Sequence, residues 1–139
     1  MKGVVATLRS KLIKFPMICY LYRLSFGDHT NMSKLEQLLS AKGYLLADGA
    51  TGTNLFEMGL QTGDSPEPWN TDHPDRITQL HQGFIDAGSD IILTNSVGGN
   101  FYRLKPHNCE SKVQEYNVNA GKIARAAADA ADRPVLVAG

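Results

Sequence analysis

Residues 44–54 read YLLADGATGTN, and the order of residue types in this stretch decides how the chain is built. Residues 44–47 are short and apolar enough for a buried strand, and they run directly into Asp48, Gly49 and a small-residue segment ending at Asn54. A carboxylate therefore stands at the carboxyl end of a strand. In parallel α/β architectures ligands bind beyond those ends, and glycines beside the acid let a ligand approach the backbone. The same letters also suit a capped turn, because Asp-Gly and Thr-Gly are turn chemistry. The stretch alone leaves both readings open.

Downstream, strands and helices alternate. Residues 57–72 are rich in Gly, Pro and Asp, contain Trp69 and Asn70, and read as a long surface loop of the kind that carries function. A helix is predicted over residues 74–87, capped by Asp72 or His73, with Ile77, Leu80, Phe84 and Ile85 on its buried face and Gly88 ending it. His81 reads as a surface or rim histidine on that helix. Asp90 leads into Ile91, Ile92 and Leu93, a second buried strand, which again ends in polar residues and glycines from Thr94 to Asn100. A further helix is predicted over residues 111–131, with Val113, Tyr116, Ala120, Ile123, Ala124 and Ala127 on one stripe and a capping box from Ser111 to Gln114. Val135, Leu136 and Val137 make a third strand, followed by Ala138 and Gly139.

Upstream, Ser33 and Glu36 form a capping box, Leu35, Leu38 and Leu39 share a helical face, and Gly43 is a stop. Met32 just before them has the place of a natural chain start. Residues 1–30 carry Lys2, Arg9, Lys11, Lys14 and Arg23 against Asp28 alone, although the whole chain of 139 residues has no net charge. Residues 15–24 are apolar but broken by Pro16 and Arg23, and they fall short of the about 20 residues a membrane span needs. Residues 25–29 make a poor signal cleavage site, so residues 1–31 read as a basic extension outside the domain, with a transit peptide as the alternative.

With 42% hydrophobic and 20% charged residues and no low-complexity tract, the chain reads as one soluble domain or part of a larger one, with neither nucleic acid nor membrane as partner. Cys19 and Cys109 are its only cysteines, without a CxxC or a His at ligand spacing. Neither a disulfide framework nor a complete zinc site is encoded, and a reducing, cytoplasmic compartment fits.

Alternating strands and helices, with strands buried on both faces, predict a parallel α/β sheet with right-handed crossovers. A doubly wound nucleotide fold would need GxGxxG or GxxxxGK[ST] after a strand, and GATGT at residues 49–53 fits neither. Gly98 and Gly99 lack the lysine of a phosphate loop. A (β/α) barrel remains. Eight units need about 250 residues, so this chain would supply about three of them.

The segments LLADGATGTNLFEMGL, DSPEPWN, HPDRITQLHQGFIDAGSDIILTNS and VGGN, taken in order, resemble the opening of the homocysteine S-methyltransferase domain over residues 40–139. The PEPWN loop and LTNSxGGN signature are most similar to bacterial betaine-type enzymes and to the homocysteine module of cobalamin-dependent methionine synthase. The resemblance implies a (β/α)8 barrel with zinc held by three cysteine thiolates at its C-terminal face, homocysteine sulfur as a further ligand, and direct methyl transfer from betaine or a related small donor to give methionine. It implies that Asp48 and Gly49 meet the amino acid end of homocysteine together with Thr94, and that Asn95, Ser96 and Gly98 belong to the same rim.

Departures from the family pattern limit this. Neither Cys19 nor Cys109 matches a zinc cysteine of the family, and the acid supplied by a middle strand has no counterpart, so no residue here is assigned to catalysis or to metal. Val97 stands where many relatives carry Phe, and Gly98 where animal betaine enzymes present Tyr. Two organisations follow: an amino-terminal piece of a longer methyltransferase, inactive alone, or a non-catalytic half-barrel that works with a separate chain supplying the C-terminal remainder.

Overall fold

The computed structural model describes residues 32–139, which form one unit; the reading of residues 1–31 as an extension lies outside the described residues. Helix α1, Lys34–Lys42, begins at the expected capping box, with Ser33 and Glu36 exchanging hydrogen bonds, and stops at Gly43, whose φ of 79° needs no side chain. Its leucine face is only partly covered by the described residues: Leu38 is half-buried, but Leu35 and Leu39 remain 48% and 45% exposed.

Helix α2 (Thr51–Glu57) follows Asp48 directly, and α3 (Trp69–Asp72) precedes α4 (Pro74–Asp86). Strand β1 (Ile91–Leu93), the short helix α5 (Phe101–Leu104), two single 3-10 turns, α6 (Val113–Asp129) and β2 (Leu136–Ala138) complete the order. Pro at the first position of α4 fits a helix start, because that N–H has no helical partner in any case. His73 precedes it without a side-chain cap bond. The capping box read at Ser111 is absent too: Lys112 stands at the N-cap and the chain enters α6 through the 3-10 turn Glu110–Lys112, which consumes the residues that would have capped.

Strands β1 and β2 are parallel, with Ile91 opposite Leu136, Ile92 opposite Val137 and Leu93 opposite Ala138. Residues 44–47 do run beside β1, also in parallel, but pair only as a bridge between Ala47 and Ile91. The expected first strand is thus short; its Leu46 carbonyl accepts from both Asp90 and Ile91 N–H, which bunches the ladder at one point. Three parallel segments lie side by side, with β1 in the middle.

Helices α4 and α6 cover one face of this sheet. Ile85, Ile92, Ala124, Ala127, Ala128 and Val135 form one buried cluster, in which the alanine stripe of α6 lets the helix approach closely. Leu55, Leu60, Trp69, Ile77 and Leu80 form the second, and Phe84 touches both. The other face departs from the expectation of two buried sides. Leu46 and Leu93 are 50% and 43% exposed because no described element covers them.

Residues 57–72 are the surface loop that composition suggests only in part: residues 61–64 are exposed, but the segment from Glu67 to Asn70 folds inward. Glu67, Trp69 and Asn70 are 2%, 9% and 2% exposed, and Arg76 lies 4.8 Å above the Trp69 ring while donating to the Met58 carbonyl. His81 is also buried rather than on the rim, at 1% exposure.

Candidate functional site

The carboxyl ends of the three parallel segments bring Asp48, Thr94 and Gly139 together. Asp48 N–H donates to the Ile91 carbonyl, and Asp48 Oδ2 accepts from Leu93 N–H at 2.8 Å. The chain therefore fixes this carboxylate by its own sheet register. Its second oxygen, Oδ1, is buried without a hydrogen-bond partner among the described residues. Burial pushes the Asp48 carboxyl above its ordinary range, against the lowering effect of the Leu93 N–H. An unpaired acceptor of this kind is stabilised by any donor that reaches it, and by a cationic donor most.

Thr94 N–H donates to the Ala138 carbonyl, and Thr94 Oγ1 shares a 2.6 Å hydrogen bond with Ser96 Oγ. Gly139 lies so close that a Cβ there would meet Thr94 Oγ1 at 2.6 Å. Gly49 is exposed beside Asp48, with Phe84 as its floor. Asn95 turns away from this rim. Its side chain donates to the Pro66 carbonyl and to Asn70 Oδ1, and it is 4% exposed.

Behind the rim is a polar network that composition did not disclose. Asn70 Nδ2 donates to the carbonyls of Asn95 and Tyr116, at 2.8 and 3.2 Å. Glu67 Oε1 accepts from Gly98 N–H at 2.6 Å, and its Oε2 accepts from Ser65 Oγ. Asn117 on α6 donates to the carbonyls of Gly99 and Val113. The loop after β1 is thus held from two directions. The signal in the sequence was the segment PEPWN itself: two prolines stiffen a stretch whose Glu, Trp and Asn can then be buried with little further loss of entropy.

The described residues line two hollows, one at each end of the sheet. The larger, about 670 Å³, lies between α1 and the end of α6 beside Val135 and Leu136, at the start of β2 and thus at the opposite end from Asp48 and Thr94. The smaller, about 290 Å³, opens beside Glu67 and Gly98 and is lined also by Arg103 and His107. The chemistry of the strand ends favours the second side.

The described residues do not fit a zinc site. No three His, Cys, Asp or Glu side chains converge among them. The one described cysteine, Cys109, turns its Sγ to the His107 carbonyl at 3.3 Å.

Parallel segments under two helices, with an acid, a threonine and glycines at their carboxyl ends, define an α/β unit, the architecture in which ligands are taken up beyond the strand ends. Residues 45–139 match the homocysteine S-methyltransferase family, and the chain belongs to that family. It is 29% identical over 100 residues to the methionine synthase of Mycobacterium leprae (strain TN), covering 68% of this chain and 8% of that protein. With the methionine synthase of Mycobacterium tuberculosis (strain ATCC 25618 / H37Rv) it shares 28% over 112 residues, 76% of this chain and 9% of that one. The metallated form of the homocysteine methyltransferase MmuM from Escherichia coli has the same fold over 76% of this chain and 40% of its own, with a TM-score of 0.67 and 24% identity. The chain spans well under half the length of each of these relatives.

Proposed function

We propose that residues 32–139 are the first three β/α units of a (β/α)8 barrel that receives homocysteine at the Asp48–Thr94 rim for methylation of its sulfur. The observation that carries this reading is the unpartnered Asp48 Oδ1 at the end of the first parallel segment. The ammonium of an amino acid supplies the missing donor and the matching charge. Gly49 allows that group to approach the backbone, Thr94 and Ser96 present hydroxyls next to it, and Asn95 contributes through the backbone it anchors. The homocysteine side chain would then extend over the uncovered sheet face, toward Leu93.

Methyl transfer forms an S–CH3 bond on homocysteine while an N–CH3 or S–CH3 bond of the donor breaks, its pair leaving with the donor and the thiol proton passing to solvent or base. Betaine or a related small donor is the proposed source. In the parent enzyme zinc would lower the thiol pKa, but these residues do not supply its ligands, and the role of this chain is binding and orientation. The C-terminal barrel remainder would pair with the free edge of β2. Thiol chemistry of this kind fits a reducing cytoplasm.

The test is amide-resolved NMR of the full chain titrated with homocysteine under reducing conditions. Saturable shifts at Gly49, Thr94 and Ser96 that vanish in Asp48→Asn are expected. No response, or one confined to the neighbourhood of Cys109, would sink the reading.

A further inference from the structure

We propose that Glu67 is the positioning residue of the homocysteine rim. Resting on the function proposed above, this inference adds a residue with no contact to the ligand. Glu67 is 2% exposed, yet no Lys, Arg or His lies within ion-pair distance of its carboxylate among the described residues. Burying a carboxylate without a countercharge is costly unless its oxygens are bonded. Here they are: Oε1 takes the Gly98 N–H at 2.6 Å and Oε2 the Ser65 hydroxyl at 2.5 Å.

The backbone that Glu67 holds belongs to the rim. Ser96 N–H donates to the Thr94 carbonyl, Gly99 N–H to the Ser96 carbonyl and Asn100 N–H to the Gly98 carbonyl, so residues 94–100 are one wound loop. Fixing Gly98 N–H at one end of it sets where Thr94 and Ser96 stand at the other. The contact is also exclusive. A Cβ at residue 98 would meet Glu67 Oε1 at 2.7 Å and both remaining carboxyl atoms at 3.0 Å, so the carboxylate and any side chain at this position compete for one space. Glycine at position 98 and glutamate at position 67 are therefore one choice, made twice.

Homocysteine affinity and amide shifts of the full chain are to be compared for Glu67→Gln, Glu67→Ala, Gly98→Ala and the Glu67→Ala/Gly98→Ala pair. Gln keeps an acceptor of the same shape, so it should bind within about threefold of the unsubstituted chain, whereas Ala should lose about tenfold or more, the worth of a buried Gly98 N–H left without its acceptor. Gly98→Ala should lose a similar factor, and the pair should lose no more than either alone, because both remove one contact. The Thr94 and Ser96 amides should move in the Ala variants and stay in Gln. A merely structural role predicts instead that affinity follows the unfolding midpoint and that the two losses add, and that pattern would overturn the proposal. Undiminished affinity in Glu67→Ala would also overturn it. If Glu67→Ala does not fold, Gly98→Ala and Glu67→Gln decide by the same criterion. No response to homocysteine in the unsubstituted chain would instead overturn the functional reading, while the amide comparison still reports whether Glu67 sets the loop.

Discussion

Lys42 Nζ lies 2.5 Å from Asp90 Oδ1 and so ties the last residue of α1 to the residue that opens β1. Asp90 also accepts from Leu46 N–H at 3.0 Å, and Arg133 stands 3.5 Å away, so this buried carboxylate joins α1, the first parallel segment, β1 and the approach to β2. Removing it should leave two cations and one N–H unmatched. Asp90→Ala is expected to cost about 3 kcal/mol, as for loss of one partner of a buried pair. Lys42→Met should cost less, because the buried Asp90 keeps the Leu46 N–H and Arg133 as partners. Urea unfolding of the two variants checks the order; equal losses would mean that the Lys42–Asp90 pair alone carries the junction and that the Leu46 and Arg133 contacts add nothing.

Acid should weaken the fold through two groups in different ranges of pH. His81 has both ring nitrogens buried without partners among the described residues, and burial holds its pKa below the ordinary 6.5. The unfolded chain then takes up a proton that the folded chain refuses, so stability falls as pH drops below the unfolded value and stops falling once the folded value is passed. The hydrogen bond from Lys42, then that from Leu46 N–H, holds Asp90 below its ordinary 3.8, so its contribution is complete above that value and disappears at lower pH as the carboxylate takes a proton. His81→Leu keeps a buried side chain and removes the first of these. Its unfolding free energy should be flat across mildly acidic pH where the parent declines, and parallel declines would show that His81 has a partner in solution.

Substituting Asp48 should separate stability from binding. Burial raises its pKa, so the ionised form is the unfavourable one in the folded state, and the group's contribution to stability is present below the unfolded pKa and lost as pH rises through the folded one. Asn can still accept from Leu93 N–H and carries no charge to desolvate. Asp48→Asn is therefore expected to be at least as stable as the parent at neutral pH, while losing about tenfold or more in affinity for a cationic amino group. A destabilised variant that binds homocysteine normally would make Asp48 a structural residue.

How far such residues could be read in advance depended on the range of their interactions. The box at Ser33 and Glu36 and the faces of α4 and α6 depend on neighbours within a few positions, and they are where the periodicity put them. The parallel pairing of β1 with β2 followed from alternation. The strand ends were legible as a place, since polar residues and glycine follow both Ala47 and Leu93. Burial of Glu67 and Asn70 was not legible, because their partners are backbone groups of Gly98, Asn95 and Tyr116, between 25 and 46 positions away. His81 was misread for a different reason. A histidine between Gln79 and Gln82 looks like surface, yet His81 stands four residues from both Ile77 and Ile85, so the helical period itself puts it on the buried face of α4.

The last prediction concerns the metal. A catalytic zinc site needs three protein ligands around an open position, and the family resemblance makes those three cysteines, but the chain contains only two cysteines, of which Cys109 is engaged with a neighbouring carbonyl. The full chain should therefore retain zinc far below one equivalent after dialysis. Its affinity should be unchanged in Cys109→Ser, as for adventitious binding. Homocysteine bound at the rim would keep an ordinary thiol, and with a pKa of about 8.5 only a few per cent is thiolate at neutral pH. No methionine should form from homocysteine with betaine, S-methylmethionine or methyltetrahydrofolate, even though the NMR titration detects binding. Adding the remainder of a related barrel as a separate chain should restore both zinc and turnover only if it covers the free edge of β2. Stoichiometric zinc held by this chain alone, or turnover with any of the three donors, would mean that the ligands lie within these residues and that the site is complete without a partner.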